Sequence, residues 1–232
     1  MEQKTWHKIL RTAIMIAMPF FLGLGMMTVV IHWEWPTYPA WEYGRIAPDQ
    51  YGLTAVERLD LATQTLDYLQ DAGRAEDVIY LLEELQLPTG QPLYNEAEIG
   101  HMLDVKILAD QIRFIWIVAM LVVVVGTLIM VTKPELAYYG WRTVMYGGVA
   151  TVVILLAIAL FILLAWDIFF VQFHELLFPP GTWTFAYTDG LIRLFPEQFW
   201  FDVGVIMSGG ALLLGILVAT LGYIMARSKK DV

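Results

Sequence analysis

The chain has no cysteine among its 232 residues. That excludes disulfides, thiol nucleophiles and cysteine-ligated metals. Serine is nearly as scarce: Ser208, inside an apolar block, and Ser228, near the end of the chain, are the only two. Neither falls in a polar outer segment, so a serine nucleophile is excluded there as well. No glycine-rich phosphate loop and no dinucleotide fingerprint occurs. Charge is also thin, 16% of residues against 58% hydrophobic. An ordinary soluble domain carries more charge and less apolar mass.

The apolar residues are concentrated in four blocks, about Thr12–Ile31, Phe114–Val131, Thr143–Trp166 and Val203–Ile224. Each approaches or exceeds the roughly 18–20 residues that cross a hydrocarbon core about 30 Å thick. The first is too long for a signal peptide, and no small-residue cleavage site follows it, so it reads as a retained anchor. The expected fold class is an all-α integral membrane protein, a single membrane domain with four transmembrane helices and a small helical extracytoplasmic cap.

Orientation follows from the basic residues. Lys4, Lys8, Arg11, Lys133, Arg142, Arg227, Lys229 and Lys230 fall in the two terminal segments and the loop between spans two and three. Those segments hold 8 basic and 3 acidic residues, whereas the other side holds 6 basic and 20 acidic. The positive-inside rule therefore places both termini in the cytoplasm. The net charge of −9 belongs to the outer face and argues against nucleic acid as a partner.

The first outer segment, residues 32–113, is too short for an independent domain but long enough for a helical cap. Thr54-Ala55-Val56-Glu57 reads as a capping box opening a helix to about Asp71. Val56, Leu59, Leu61, Thr65, Leu66 and Leu69 mark its apolar stripe. A second helix is expected over Ala75–Leu85, ended by Leu87-Pro88-Thr89-Gly90. Asn95 with Glu98 signals a third start, and nothing from there to Val131 forces a break. The second outer segment, residues 167–202, is rich in aromatics.

Most features within the spans read as structural. Pro19 is expected to kink span one unless neighbours compensate. Gly204, Ser208, Ala211, Gly215 and Ala219 form a small-residue face for close helix packing. Trp33, Trp35, Trp41, Trp183 and Trp200 fit an interfacial aromatic belt.

Histidine is the remaining reactive side chain. His7 sits among cytoplasmic lysines and His32 caps span one at the outer interface, both ordinary positions. His101 and His174 are different. Their midpoint, 137.5, falls in the loop Thr132–Gly140 between spans two and three, so two continuing antiparallel helices bring both to one height. Glu98 and Asp104 flank His101 at helical spacing, and Glu175 follows His174. A carboxylate that accepts one ring proton fixes the tautomer and leaves the other nitrogen as a base. The plain alternative is two unrelated interfacial histidines. One tension stands: His101 lies 13 residues before Phe114, about 20 Å beyond the hydrocarbon at 1.5 Å per residue. A helix break near Arg113, tilted helices or higher-set spans would each resolve it.

The run Tyr94-Asn95-Glu96-Ala97-Glu98-Ile99-Gly100-His101-Met102-Leu103-Asp104-Val105-Lys106 resembles the first signature of the bacterial lipoprotein intramolecular transacylases. Phe173-His174-Glu175-Leu176-Leu177-Phe178 resembles the second, continuing through Trp183, Asp189-Gly190-Leu191-Ile192 and Phe195-Pro196-Glu197-Gln198-Phe199-Trp200. The resemblance covers essentially the whole chain, including the span order. It implies an acyltransferase without cofactor or metal. The substrate would be a lipoprotein whose N-terminal cysteine carries S-diacylglycerol, held with membrane lipid around it. The sn-2 acyl chain would move to the cysteine α-amine and leave a lyso-form lipoprotein. The family's two functional histidines match His101 and His174. Glu98, Asp104, Glu175 and Asp189 are candidate supporting carboxylates. Two other classes stay open. One is a metal-dependent membrane hydrolase using the histidines and nearby carboxylates, although no HExxH is present. The other is a non-catalytic lipoprotein-binding envelope protein.

The charge asymmetry makes a topological prediction. Labels introduced at Glu135 and Lys229 should report cytoplasm, and labels at Asp71 and Asp189 should report the outside. An outside signal at Glu135 would overturn the arrangement.

Overall fold

The structure, a computed structural model, describes residues 2–31 and 37–230. The positions expected to cap and belt the outer end of span one, His32, Trp33 and Trp35, lie outside those residues. Among the described residues the chain is helical, with no strand. The elements are α1 (Glu2–Ile31), α2 (Tyr38–Tyr43), α3 (Ala55–Gln70), α4 (Ala75–Val78), α5 (Tyr80–Glu83), α6 (Glu96–Val131), α7 (Pro134–Leu164), α8 (Trp166–Leu177), α9 (Gly190–Leu194) and α10 (Glu197–Ser228). Helices α1, α6, α7 and α10 are each long and apolar enough to cross a membrane.

Two compact units result. Met1–Val29, Ile112–Leu164 and Gly204–Val232 form the first. Its core gathers Ile14, Met18 and Leu22 of α1 with Val123, Met130 and Val144 of α6 and α7. The outward faces stay apolar: Leu121, Leu163 and Leu217 are all more than half exposed. A helix that is apolar all round belongs in lipid. Small residues let the backbones touch. A Cβ on Gly148 would lie 2.5 Å from the Ala219 nitrogen and 2.8 Å from the Gly215 carbonyl oxygen. Ala211 and Ser208, on the same face of α10, are buried. This is the small-residue face read in the sequence, and α7 is what it packs against. Pro19 lies inside α1, which remains helical through it. Pro134 opens α7, where its missing N–H costs nothing.

The second unit comprises Val30–Gln111 and Ala165–Val203. The capping box at α3 is present: Glu57 N–H donates to Thr54 Oγ1, and Thr54 N–H donates to Glu57 Oε2 at 2.8 Å. The buried face of α3 is Arg58, Leu61, Ala62, Thr65 and Tyr68, and Val56 is exposed. The apolar stripe was therefore drawn off-centre, because polar residues with internal partners occupy part of the buried face. Thr65 Oγ1 and Tyr94 OH, for instance, are 2.6 Å apart. The expected helix over 75–85 is realised as α4 and α5, joined at Ile79. The turn after it closes with Leu87 N–H on the Gln91 carbonyl, and Gly90 takes φ 81°.

Two of the helices that carry the histidines depart from a plain hairpin. Helix α6 is unbroken from Glu96 to Val131, so there is no break near Arg113. Span three, expected to run to Trp166, ends at Leu164. Ala165 leaves helical geometry at φ −149°, ψ 51°, and α8 starts anew at Trp166.

Candidate active site

The first histidine is placed by a helix start. Asn95 Oδ1 accepts the N–H groups of Ala97 and Glu98, and Glu98 Oε2 accepts the Asn95 N–H at 2.8 Å. This reciprocal cap satisfies orphan donors at the head of α6. The other Glu98 oxygen, Oε1, accepts the Leu191 N–H at 2.7 Å and so ties α9 to the same turn. Gly190 leaves no room for a side chain against the Leu93 carbonyl, which allows that approach. His101 follows Glu98 by one turn and is only 6% exposed.

The second histidine sits on α8. His174 and His101 have ring centroids 6.4 Å apart and planes inclined by 29°. Phe178 lies against both, at 4.9 Å from His101 and 5.6 Å from His174. Phe185 adds a face to His101. Phe170 and Trp183 enclose His174 at 4.1 and 4.9 Å. Trp183, assigned to an interfacial belt by its residue type, packs directly on this imidazole. Among the described residues no hydrogen bond joins the two rings, so a small group between them would meet both.

The tautomer of His174 follows from its partner. Its Nδ1 lies 2.7 Å from the Phe170 carbonyl oxygen, which accepts only. Nδ1 therefore carries the proton, and the neutral ring leaves a lone pair on Nε2. Burial pulls the His174 pKa below the ordinary imidazole value, and the Phe170 hydrogen bond opposes that in part. At neutral pH the ring is a free base. His101 Nδ1 is buried with no hydrogen-bond partner among the described residues.

The four candidate supporting carboxylates do not touch the rings. Glu98 is committed to Asn95 and Leu191. Glu175 is exposed and accepts from Gln172 Nε2 at 3.0 Å. Asp189 precedes α9 and accepts the Ala186 N–H. Asp104 is half-buried and makes no hydrogen bond to either histidine. A backbone carbonyl one turn back does for His174 what a carboxylate was expected to do. Among the described residues no three His, Asp or Glu side chains converge as metal ligands. His7 lies against Trp6, with ring centroids 3.8 Å apart, in the other unit. Ser208 Oγ donates to the Gly204 carbonyl at 2.7 Å inside α10.

Residue-type reasoning missed a polar cluster in this unit. Arg193 forms an ion pair with Asp49 at 3.0 Å, and Arg58 donates to the Arg193 carbonyl. Glu42 is wholly buried beside Tyr38. Burial, and then the neighbouring Asp202 carboxylate, pushes Glu42 up to about 7. No local spacing signals these contacts, whose partners stand far apart in the chain.

Four helices are long and apolar enough to cross a membrane, and the second unit holds an imidazole pair enclosed by aromatic rings. A profile described as lipoprotein intramolecular transacylase Lit matches residues 12–200. The chain belongs to the lipoprotein intramolecular transacylase family, and is a multi-pass membrane acyltransferase. An uncharacterized protein of Aquifex aeolicus (strain VF5) is 27% identical over 221 residues, which is 94% of this chain and 95% of the relative. The membrane-integral lipoprotein intramolecular transacylase Lit of Bacillus cereus has the same fold. It superposes with a TM-score of 0.70 at 19% identity, over 99% of this chain and 100% of its own. A histidine-to-alanine variant of that protein gives a TM-score of 0.65 at 19% identity, over 99% and 98%.

The geometry predicts a titration. NMR of imidazole nitrogens should show His174 as the Nδ1–H tautomer, with a midpoint below the ordinary 6.5 or so. Trp183→Ala admits water and should move that midpoint upward. A midpoint above 7 in the unaltered protein would contradict the burial.

Proposed function

We propose that the paired imidazoles carry out the transacylation. The substrate is a lipoprotein whose N-terminal cysteine bears diacylglycerol on sulfur and a free α-amine. His174 Nε2 takes a proton from the amine as the nitrogen attacks the sn-2 ester carbonyl. A C–N bond forms, and the carbonyl oxygen carries the negative charge of the tetrahedral intermediate. His101 polarises that oxygen, and the proton gained by His174 passes, directly or by way of His101, to the departing glycerol oxygen. The C–O bond then breaks, leaving an N-acyl, S-monoacylglyceryl lipoprotein. Both histidines end as they began. An ester becomes an amide, so the reaction runs downhill without a cofactor.

The observation that carries this reading is the imidazole pair, 6.4 Å apart, with the tautomer of one ring set by the Phe170 carbonyl. A neutral imidazole with a free Nε2 lone pair suits the base role. The aromatic enclosure favours orientation and exclusion of water. Donor and acceptor belong to one molecule, so no acyl-enzyme is required. That agrees with Ser208, the one serine in a span, being buried and bonded to its own helix. Basic residues in the termini and in the α6–α7 turn support cytoplasmic ends, with the histidine site on the extracytoplasmic side of the plasma membrane.

The test is mass spectrometry of N-terminal lipopeptides from vesicles carrying each variant. His101→Ala and His174→Ala should each lower product formation by about 100-fold or more. The double variant should lose little beyond that, because groups acting on one intermediate are strongly non-additive. His7→Ala and Ser208→Ala should keep most activity. Ample lyso-form product from His174→Ala would remove the base.

A further inference from the structure

The outer segments hold six basic residues, and three of them, Arg45, Arg58 and Arg193, line a single cavity of about 740 Å³ in the second unit. The cavity has an unbalanced charge at its floor. Asp49 Oδ1 accepts from Arg193 Nε at 3.1 Å, and Oδ2 accepts from Arg193 Nη2 at 3.0 Å. Oδ2 also receives the N–H groups of Tyr51 and Leu53. That carboxylate is fully committed to Arg193 and its own loop.

Arg58 is 4% exposed. It donates through Nε to the Arg193 carbonyl at 2.8 Å and through Nη1 to the Ala47 carbonyl at 3.0 Å. Its guanidinium lies 4.4 Å from the centre of the Tyr43 ring. Among the described residues it makes no ion pair. Two buried guanidiniums thus share one buried carboxylate. A charge withdrawn from water without a counter-charge is costly, and a guanidinium does not shed its proton to escape that cost. The floor is built to take one more anion.

Arg45, Gln198 and Asp202 also line the cavity. Arg45 is exposed over the Trp41 ring, at 4.5 Å. Gln198 Nε2 donates to Asp202 Oδ1 at 2.9 Å. Burial, and then the neighbouring Asp202, raises the Glu42 carboxyl above its ordinary range. Helix α9 links the cavity to the histidine helix: Arg193 of α9 lines the cavity, and Leu191 of the same helix donates to Glu98, one turn before His101.

We propose that this cavity receives the polypeptide following the acylated cysteine of the substrate, and that Arg58 and Arg45 select an acidic side chain in it. The inference rests on the functional reading above. A peptide fits the lining better than a phospholipid headgroup does. Asp202 and Gln198 can pair with peptide N–H and C=O groups, which a phosphodiester does not offer. The volume also exceeds what a single phosphate fills. A carboxylate offered to a guanidinium is held by short, charge-assisted bonds.

The test uses synthetic S-diacylglyceryl-cysteinyl peptides that differ only in the residues after the cysteine: Glu-rich, Gln-rich or Lys-rich. Turnover is measured on the full-length enzyme in nanodiscs of neutral lipid. Binding is measured separately on His174→Ala by fluorescence anisotropy. The Glu-rich peptide should exceed the Gln-rich one by about tenfold in kcat/KM and in affinity, mainly through KM. Arg45→Gln and Arg58→Lys should each shrink that ratio. Arg45, being exposed, serves if Arg58→Lys does not fold. Asp202→Asn should raise affinity for the Glu-rich peptide. Turnover with no preference among peptides overturns the proposal and leaves the transacylase reading standing. Preferential binding without turnover in the unaltered enzyme supports the cavity and sinks the transacylase reading. An effect of Arg45→Gln confined to nanodiscs containing phosphatidylglycerol would assign the cavity to a lipid headgroup and overturn the proposal.

Discussion

Glu98, a carboxylate with 1% of its surface exposed, is used twice. One oxygen closes the first turn of α6 on Asn95, and the other takes the Leu191 N–H of α9. Both outer segments therefore meet at one side chain, a turn ahead of His101. The Leu191 bond is buried, so losing the carboxylate would leave that N–H unpaired at a cost of about 1–3 kcal/mol, and would also remove the cap on the partly buried Asn95 N–H. The position of His101 on one segment, and of the aromatic loop on the other, depends on this junction.

From that junction the chemistry is constrained by what surrounds the rings. Both imidazoles are walled by aromatic side chains, and among the described residues no carboxylate hydrogen-bonds to either. His174 is oriented by a backbone carbonyl on its own helix, a partner that no side-chain substitution removes. A carboxylate there would stabilise the imidazolium and hold the proton more firmly. A carbonyl orients the ring with less of that effect, and burial keeps it neutral and basic. A base of this kind can take a proton from an ammonium-derived nucleophile and return it to an alkoxide within one encounter. The outer segments contain neither serine nor cysteine to carry an acyl-enzyme.

Features encoded within a few residues were legible in the sequence. Thr54 with Glu57 and Asn95 with Glu98 are caps whose partners are three residues apart, and both formed as read. The four spans follow from length and hydropathy. The pairing of His101 with His174 is expected from equal offsets about a midpoint at 137.5, inside the expected loop Thr132–Gly140. The turn itself lies at Thr132 and Lys133, because α7 already starts at Pro134, so the offsets are 31 and 41 residues and the rings are neighbours without that symmetry. Other features were not legible. Ala165 breaks a helix with neither glycine nor proline at the break. Arg58 and Asp49 meet Arg193 from 135 and 144 residues away, and spacing rules do not reach that far. Trp183 was assigned by residue type to an interface, and only the tertiary fold puts it on His174. Val56 was read as core because it is apolar, whereas the buried face of α3 is partly polar and internally bonded.

The central claim is that acyl transfer passes directly from glycerol to amine within one lipoprotein, between two imidazoles. A crossover experiment tests it. Two diacyl lipopeptides of different peptide mass are mixed with the enzyme, one carrying a deuterated sn-2 acyl chain. Direct transfer predicts that the deuterated amide appears only on the peptide that brought the deuterated ester, at every enzyme concentration. Deuterium on the amine of the other peptide would mean that the acyl group leaves its molecule, and would contradict the account.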